Sequence, residues 1–445
     1  MCLLNSSRKS PPTEHRLPTH DSPPTDRTAW VCPVIPEMSS MAVPRTRPGN
    51  YPAILSYGFR PFFLLASLYA GVTILLWLPL LYGYLETSSV FAPVDWHVHE
   101  LLFGYLAAVV TGFLLTAIPN WTGRLPVQGL PLLALVLVWL AGRFAVFLSA
   151  EIGWLAAAVI DCAFLLAVAC AAAIEIVAGR NWRNLKVLAP VAVLLAANVI
   201  FHAEAHFTGV SDIGRRLGIG AAIVLISIIG GRIIPSFTRN WLARENPGRL
   251  PVPFNRFDMA VILISGLALL LWSFLPERTE TGLVLLVAAI LNVIRLSRWA
   301  GDRTFRDPLV LILHVAYAFV PLGMLLAALA ILMPETVAPA AGIHAFAVGA
   351  IGIMTLAVMI RATLGHTGRE LRARRAGCFV FVAILVAAAA RIAEALGVPG
   401  DWLIHLAACA WIAAFLGFAV LYGGMLLRPR LRGSMVATPT SDAKI

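Results

Sequence analysis

The chain contains twelve apolar segments that are each long enough to cross a lipid bilayer as a helix. Such a helix needs about 20 apolar residues, because each residue advances ~1.5 Å through a hydrocarbon layer ~30 Å thick. The segments cover residues 62–84, 95–118, 129–149, 152–178, 185–207, 215–237, 257–275, 279–297, 307–333, 337–361, 376–397 and 400–427. The sequence therefore predicts an all-α polytopic membrane protein with twelve transmembrane helices.

The composition excludes an ordinary soluble domain. Hydrophobic residues make up 59% of the chain and charged residues only 13%, whereas soluble domains carry ~25% charged residues. The net charge is +11, but the basic residues fall at the ends of apolar segments, so we expect the lipid bilayer as a partner and no nucleic acid. The six cysteines show no CxxC spacing, and we interpret them as small hydrophobic residues rather than disulfides or metal ligands.

The basic residues also predict an orientation. If the N-terminus is cytoplasmic, nearly all Lys and Arg residues lie in cytoplasmic segments, as the positive-inside rule requires. Only Arg215, Arg216 and Arg278 then lie in loops on the outer side. With twelve spans, both termini are predicted to be cytoplasmic.

Residues 1–50 differ in composition from the rest of the chain. They are rich in Pro and Ser, with mixed charge and no periodicity, which indicates a disordered tail. Met38 or Met41 is an alternative start, in which case the first residues come from an over-extended reading frame. We assign residues 51–428 to the membrane domain and 429–445 to a short cytoplasmic tail.

Matching residues recur along the chain at fixed offsets. Thr122–Arg124 closes the second segment and Thr367–Arg369 closes the tenth, at an offset of 245 that also pairs His99 with His344. A shift of 116 relates the second segment to the sixth. The matches favour three tandem four-helix repeats, in which segments two, six and ten are equivalent.

Six of the ten histidines are predicted to lie at the outer end of their segments. A single histidine near a membrane surface is usually a packing residue, but ionisable groups that converge at one depth usually mark a functional site. We therefore predict a histidine-ligated centre in the outer leaflet. Its candidate ligands are His97, His99, His202, His206, His344 and His405.

The spacing of these histidines sets limits on how they can bind. His202 and His206 are four residues apart, so they share a helical face and could hold one metal ion. His97 and His99 are two residues apart and cannot both point inward from a regular helix. Imidazole nitrogen suits zinc, copper, iron and haem iron.

Other ionisable residues accompany the histidines. Arg143 and Arg391 lie at about the same depth, and two interpretations stay open for them: salt bridges to acids such as Asp161, Glu204 or Glu394, or pairing with haem propionates. Glu100 and Glu204 are candidates to orient the ligands. On the inner side, His314 and His366 are candidates for a proton path or a second haem.

Several long motifs resemble those of the NnrS family. They are Phe59–Phe63, Trp96–Arg124, WLAGR at 139–143, GGRIIPSFTRN at 230–240 and the stretch His344–Arg369. The resemblance extends from about residue 55 to 427. It implies a multi-pass protein of the bacterial inner membrane that contains b-type haem and copper and acts in the response to nitric oxide. It brings no ligand assignment, so the candidate residues rest on their positions alone.

Three functions follow from these expectations. The first is a haem and copper protein that limits nitrosative stress through the outer-leaflet histidine site. The second is a membrane nitric oxide reductase, which requires an electron donor that the sequence does not identify. The third is a transporter of metal or haem. No phosphate-binding loop, GxSxG, dinucleotide fingerprint or HExxH motif indicates another enzyme class.

Overall fold

The computed structural model describes residues 50–431, and every regular element within that range is a helix. All of these residues belong to the unit Arg45–Ile445. Twelve helices are long and apolar enough to span a membrane, which confirms the predicted number. We name them α1 to α12: Phe59–Leu81, Pro93–Thr122, Leu130–Phe147, Trp154–Ala178, Trp182–Phe207, Asp212–Glu245, Arg256–Phe274, Thr279–Arg303, Pro308–Leu332, Pro339–His366, Arg375–Ala395 and Trp402–Leu427.

The observed helix ends lie within a few residues of the predicted ones in most cases. The largest difference is in α6, which continues to Glu245, whereas the apolar segment ends at residue 237. Its last turns carry exposed polar side chains, and Asn246 follows as the C-cap residue, so the helix extends past its apolar part. The tails predicted at 1–50 and 429–445 lie almost entirely outside the described residues.

Helices α2, α6 and α10 form the centre of the bundle. Within the most apolar window of each, 83%, 61% and 72% of the residues are buried, against 39–56% in the other nine described spans. A helix surrounded by other helices buries all of its faces, whereas a peripheral helix leaves one face for lipid. These three are the helices that the repeat predicts to be equivalent, and the repeat itself stays a prediction.

Close packing around α2 depends on a small residue. A Cβ at Gly112 would lie 2.8 Å from the ring of Phe63, so the absence of a side chain lets α1 approach α2. Glycine has this role at many contacts between membrane helices. α1 also packs against α12, which brings the first and last helices together.

Two central helices contain a π-helical segment. In α2 it covers Glu100–Leu106 and in α10 it covers Ala345–Gly352. Each begins directly after a histidine, His99 or His344, and their first residues are 245 positions apart. A π turn inserts an extra residue and rotates the side chains on either side relative to each other, and such turns are frequent at functional sites.

Candidate metal centre and adjacent cavity

A buried group of ligating side chains lies where α2, α4 and α5 meet. It consists of His99, Asp161 and His202, whose nearest ligand atoms all lie within 4.8 Å of one another. All three side chains are at most 2% exposed. His99 lies near the start of α2 and His202 near the end of α5, so the group sits toward one end of the bundle.

Both ring nitrogens of His99 face acceptor atoms. Nδ1 lies 2.8 Å from Glu100 Oε1, and Nε2 lies 3.0 Å from Asn198 Oδ1 and 3.2 Å from Asp161 Oδ2. A neutral imidazole has one donor and one acceptor nitrogen, so this arrangement requires a doubly protonated ring, or a cation in place of one proton. Asn198 also donates to Asp161 Oδ2 at 2.7 Å, which directs its own oxygen at His99.

Arg143 on α3 connects the two carboxylates of the network. Its Nη1 donates to Glu100 Oε2 at 2.7 Å, and its Nη2 donates to Asp161 Oδ1. Tyr69 on α1 donates a further hydrogen bond to Glu100 Oε2. The salt-bridge interpretation therefore holds for Arg143, since both terminal nitrogens of its guanidinium are occupied by carboxylates.

The charges of this network do not cancel. Glu100 and Asp161 contribute two negative charges and Arg143 one positive charge, which leaves one negative charge when the histidines are neutral. A net charge in a buried setting is costly unless an opposite charge accompanies it. The network is therefore suited to hold one more cation, either a proton on an imidazole or a metal ion.

An apolar cavity of about 380 Å³ lies beside this network, toward the same end of the bundle. His97 and His344 both line it, together with Trp77, Tyr105 and Trp411. The His97 ring stacks on Trp77, with ring centroids 4.2 Å apart. Its Nδ1 is buried and has no hydrogen-bond partner among the described residues, so a polar atom of His97 is left available beside the cavity.

The hydrogen bonds of His344 assign its tautomer. Its Nδ1 lies 2.8 Å from the carbonyl oxygen of Ala340 and must donate to it, so Nε2 is the unprotonated nitrogen and can only accept. That Nε2 accepts a hydrogen bond from Nη2 of Arg391 at 2.9 Å, and Nη1 of the same guanidinium donates to Glu394 at 2.7 Å. Arg391 therefore forms the salt bridge to Glu394 that one of the two interpretations predicts. Arg391 and Arg215 both line the cavity.

The structure does not bring every candidate to these two sites. His206 is exposed and stacks on Trp154 at 4.3 Å, away from the buried His202. The two histidines share a helical side, but His206 is next to the last residue of α5, at its exposed end. His405 is also exposed, with Nε2 3.5 Å from the hydroxyl of Tyr82.

Glu204 contacts neither candidate site in the structure. Its carboxylate accepts hydrogen bonds from the backbone N–H groups of Ile213, at 3.0 Å, and Gly214, at 2.7 Å. These are the first free donors of α6, so Glu204 caps that helix. Glu100, by contrast, contacts His99 directly.

The two inner-side histidines lie toward the opposite end of the bundle. His314 on α9 is buried, with Nε2 2.8 Å from the hydroxyl of Thr238. His366 ends α10 beside the rings of Tyr57 and Phe59, at centroid distances of 5.6 and 5.4 Å. They form no joint group with the buried histidines of the other end.

Three residues of the network were not among the predicted site residues. The sequence indicates Asp161 only as a salt-bridge partner, and it does not single out Tyr69 or Asn198. A signal was present, because an acid and an amide inside apolar segments are costly unless they are paired. Their partners could not be read from the sequence, since the contacts join α1, α2, α4 and α5.

Comparison with known proteins gives one family. The family model described as NnrS protein matches residues 53–430, which is most of the chain. Comparison with curated proteins found no match.

Proposed function

The chain belongs to the NnrS family of membrane proteins, and we propose that it limits nitrosative stress in the nitric-oxide response through a resident, histidine-ligated metal centre. The observation that carries this proposal is the buried group His99, Asp161 and His202, whose network needs one more cation beside Arg143 to balance its two carboxylates. Nitric oxide is small, uncharged and soluble in lipid, so a centre inside a membrane bundle is well placed to meet it.

The polar group fits a transition-metal ion. It offers two imidazole nitrogens and one carboxylate oxygen, a donor set that suits copper, iron or zinc better than calcium or magnesium. His99, Asp161 and His202 would hold the ion. Glu100 and Asn198 would orient His99 and Asp161 through the hydrogen bonds described above. Copper is the metal that the family resemblance implies.

The apolar cavity fits a haem. Its volume lies within the ~300–1,000 Å³ typical of ligand pockets, and aromatic side chains form much of its wall. His344 would offer Nε2 to the iron once the Arg391 guanidinium had moved off it, because the carbonyl of Ala340 holds the proton on Nδ1, and His97 is the second imidazole at the cavity. Arg391 and Arg215 are the cations in the cavity lining that could pair with the propionates, although each also pairs with an acid, Glu394 or Asp212.

When bound, a reduced haem iron or copper ion would supply an electron-rich centre for nitric oxide. The chain's own residues would control which molecules reach this centre and what is held beside it. The apolar lining of the cavity admits an uncharged gas and disfavours water and ions. The network of His99, Glu100 and Asp161 would hold a proton or a metal ion next to the cavity without exposing it to solvent.

We further propose that the protein lies in the bacterial inner membrane with both termini in the cytoplasm. The strong bias of Lys and Arg to one set of loops supports this orientation. The two candidate sites would then lie in the outer leaflet. A fluorescent protein that folds only in the cytoplasm, fused to the C-terminus, should be bright, and a dark fusion present in normal amounts would contradict the orientation.

The test of the proposal is a cofactor analysis of the purified protein. Full-length protein from cells supplied with haem and copper should retain both, and its reduced visible spectrum should change on addition of nitric oxide. Steady consumption of nitric oxide with an added reductant would identify a reductase, whereas a stoichiometric spectral change would identify a binding protein. Protein that carries neither haem nor a transition metal would contradict the proposal.

A further inference from the structure

A second large cavity lies toward the opposite end of the bundle from the two sites described above. Its volume is about 440 Å³, and its lining comes from α1, α2, α5, α6, α10 and the segment after α12. On α2 it includes Thr116 and Asn120, which lie near the end of that helix, whereas His99 lies near its start. We call it the Arg361 cavity.

The polar part of the Arg361 cavity is positively charged. Arg232, Arg361 and Arg430 line it, and its described lining contains no carboxylate. None of the three arginines forms an ion pair with another described residue, which distinguishes them from the paired Arg143 and Arg391. Like charges gathered around one space repel each other, so an anion bound between them would stabilise the arrangement.

Two of the three arginines are oriented by neighbours that carry no negative charge. The Arg361 guanidinium lies 3.9 Å from the centre of the Phe237 ring and is half-buried. Arg232 donates from Nη1 to the side-chain oxygen of Asn184 at 3.2 Å. An aromatic face and an amide oxygen orient a guanidinium but contribute no full negative charge.

Most of the remaining wall is apolar, apart from Thr116, Asn120 and His366, and it continues deeper into the bundle. Four residues of the cavity, Phe113, Ile229, Ile233 and Val358, also line a smaller apolar crevice of about 70 Å³ between α2, α6 and α10. A positively charged cavity that adjoins an apolar crevice matches a molecule with a charged head and a hydrocarbon chain.

We propose that the Arg361 cavity binds an anionic amphiphile, with its phosphate or carboxylate head at Arg361 and Arg232 and a hydrocarbon chain in the crevice between α2, α6 and α10. This site is separate from the metal centre and does not depend on the proposed function. The predicted orientation places the cavity on the cytoplasmic side, where anionic phospholipids attract basic groups near the membrane.

Two variants test the charge and the space separately. Arg361→Gln removes the most buried of the three cations. Gly365→Leu fills the cavity and leaves the arginines in place, because a Cβ at this position meets nothing closer than Leu371 at 3.6 Å. The matched control is Arg244→Gln, an exposed arginine near the same end of α6 that does not line the cavity.

The measurement is native mass spectrometry of the full-length protein in detergent, titrated with one probe at a time. The probes are phosphatidylglycerol, oleate, phosphatidylcholine and inorganic phosphate. Phosphatidylglycerol and oleate report a phosphate and a carboxylate head, and either one binding tightly supports the proposal. Phosphatidylcholine tests the need for net negative charge, and inorganic phosphate tests the need for the chain.

We expect the best anionic amphiphile to bind about tenfold more weakly to Arg361→Gln and to Gly365→Leu, as loss of a charge-assisted contact implies, and equally well to Arg244→Gln. Equal binding of phosphatidylcholine, or equal binding of inorganic phosphate, would overturn the proposal. So would unchanged affinity in both cavity variants. Loss of haem from folded Arg361→Gln would also overturn it, by assigning the arginines to propionates.

Discussion

His97 and His99 are two residues apart on α2, and their rings lie in different sites. His97 stacks on Trp77 beside the apolar cavity, whereas His99 joins the polar network with Asp161 and His202. The π-helical segment begins at the next residue, Glu100, which bonds His99. One turn of α2 therefore serves two neighbouring sites, so a ligand bound at one lies close to the other.

The first prediction concerns Arg143, the arginine that bridges the two carboxylates of the network. In Arg143→Met the carboxylates of Glu100 and Asp161 lose their shared cation but stay buried, so we expect a loss of about 3–5 kcal/mol in the free energy of unfolding. Thermal unfolding of the protein in detergent would show it. The control is Arg124→Gln, which breaks a bridge from an exposed arginine to Glu175 and should leave the unfolding temperature almost unchanged. Equal effects of the two changes would contradict the role assigned to Arg143.

The second prediction separates two histidines of α5. His202→Ala removes one of the three ligating side chains and should lower the transition metal retained per protein by at least about tenfold at limiting metal. His206→Ala removes an exposed ring stacked on Trp154 and should keep the metal. Elemental analysis after dialysis against a weak chelator provides the measurement. Metal lost from both variants, or from neither, would refute the assignment.

The third prediction separates two histidines of α10 and α12. His344→Ala removes the ring whose unprotonated Nε2 is the proposed ligand at the cavity, so the haem should be lost or its Soret band should shift. His405→Ala removes an exposed ring beside Tyr82, and its haem spectrum should match that of the unchanged protein. An unaltered spectrum in His344→Ala would show that another residue holds the haem.

The fourth prediction tests a close contact elsewhere in the bundle. Arg295 on α8 is fully buried and bonds Asp258 at 3.1 Å and the hydroxyl of Tyr317 at 2.8 Å. A Cβ at Gly231 on α6 would overlap Nη2 of Arg295, so that guanidinium or the helix would have to move. We expect Gly231→Ala to lower the free energy of unfolding by about 1–3 kcal/mol.

The neighbouring glycine supplies the control for this fourth test. A Cβ at Gly230 meets nothing closer than Ile234 at 3.5 Å, an ordinary contact. Gly230→Ala should therefore be neutral, or stabilising by up to ~1 kcal/mol because alanine favours the helix. Denaturation curves of the two variants should separate clearly, and coincident curves would count against the close packing of α6 on Arg295.

The candidate site was only partly predictable from the residues. The expectation that histidines at one end of the bundle matter led to His99, His202, His97 and His344, which the structure arranges in two adjacent sites. Their role as metal or haem ligands stays a prediction. The same reasoning also selected His206 and His405, which are exposed. Depth along a helix can be read from sequence position, but the direction in which a side chain points depends on how the helix is rotated against its neighbours.

The sequence by itself determined the twelve helices, because the number and length of apolar segments are local properties of the chain. An apolar segment long enough to cross the hydrocarbon layer must form a helix there to satisfy its backbone hydrogen bonds. Only the tertiary structure decided which side chains meet. Each residue turns a helix by ~100°, so a single π turn or a small rotation moves a ring from one site to another. His97 and His99 show this, since one of them contacts Trp77 and the other contacts residues of α4 and α5. Those contacts depend on packing between segments far apart in the chain, and no local pattern specifies them.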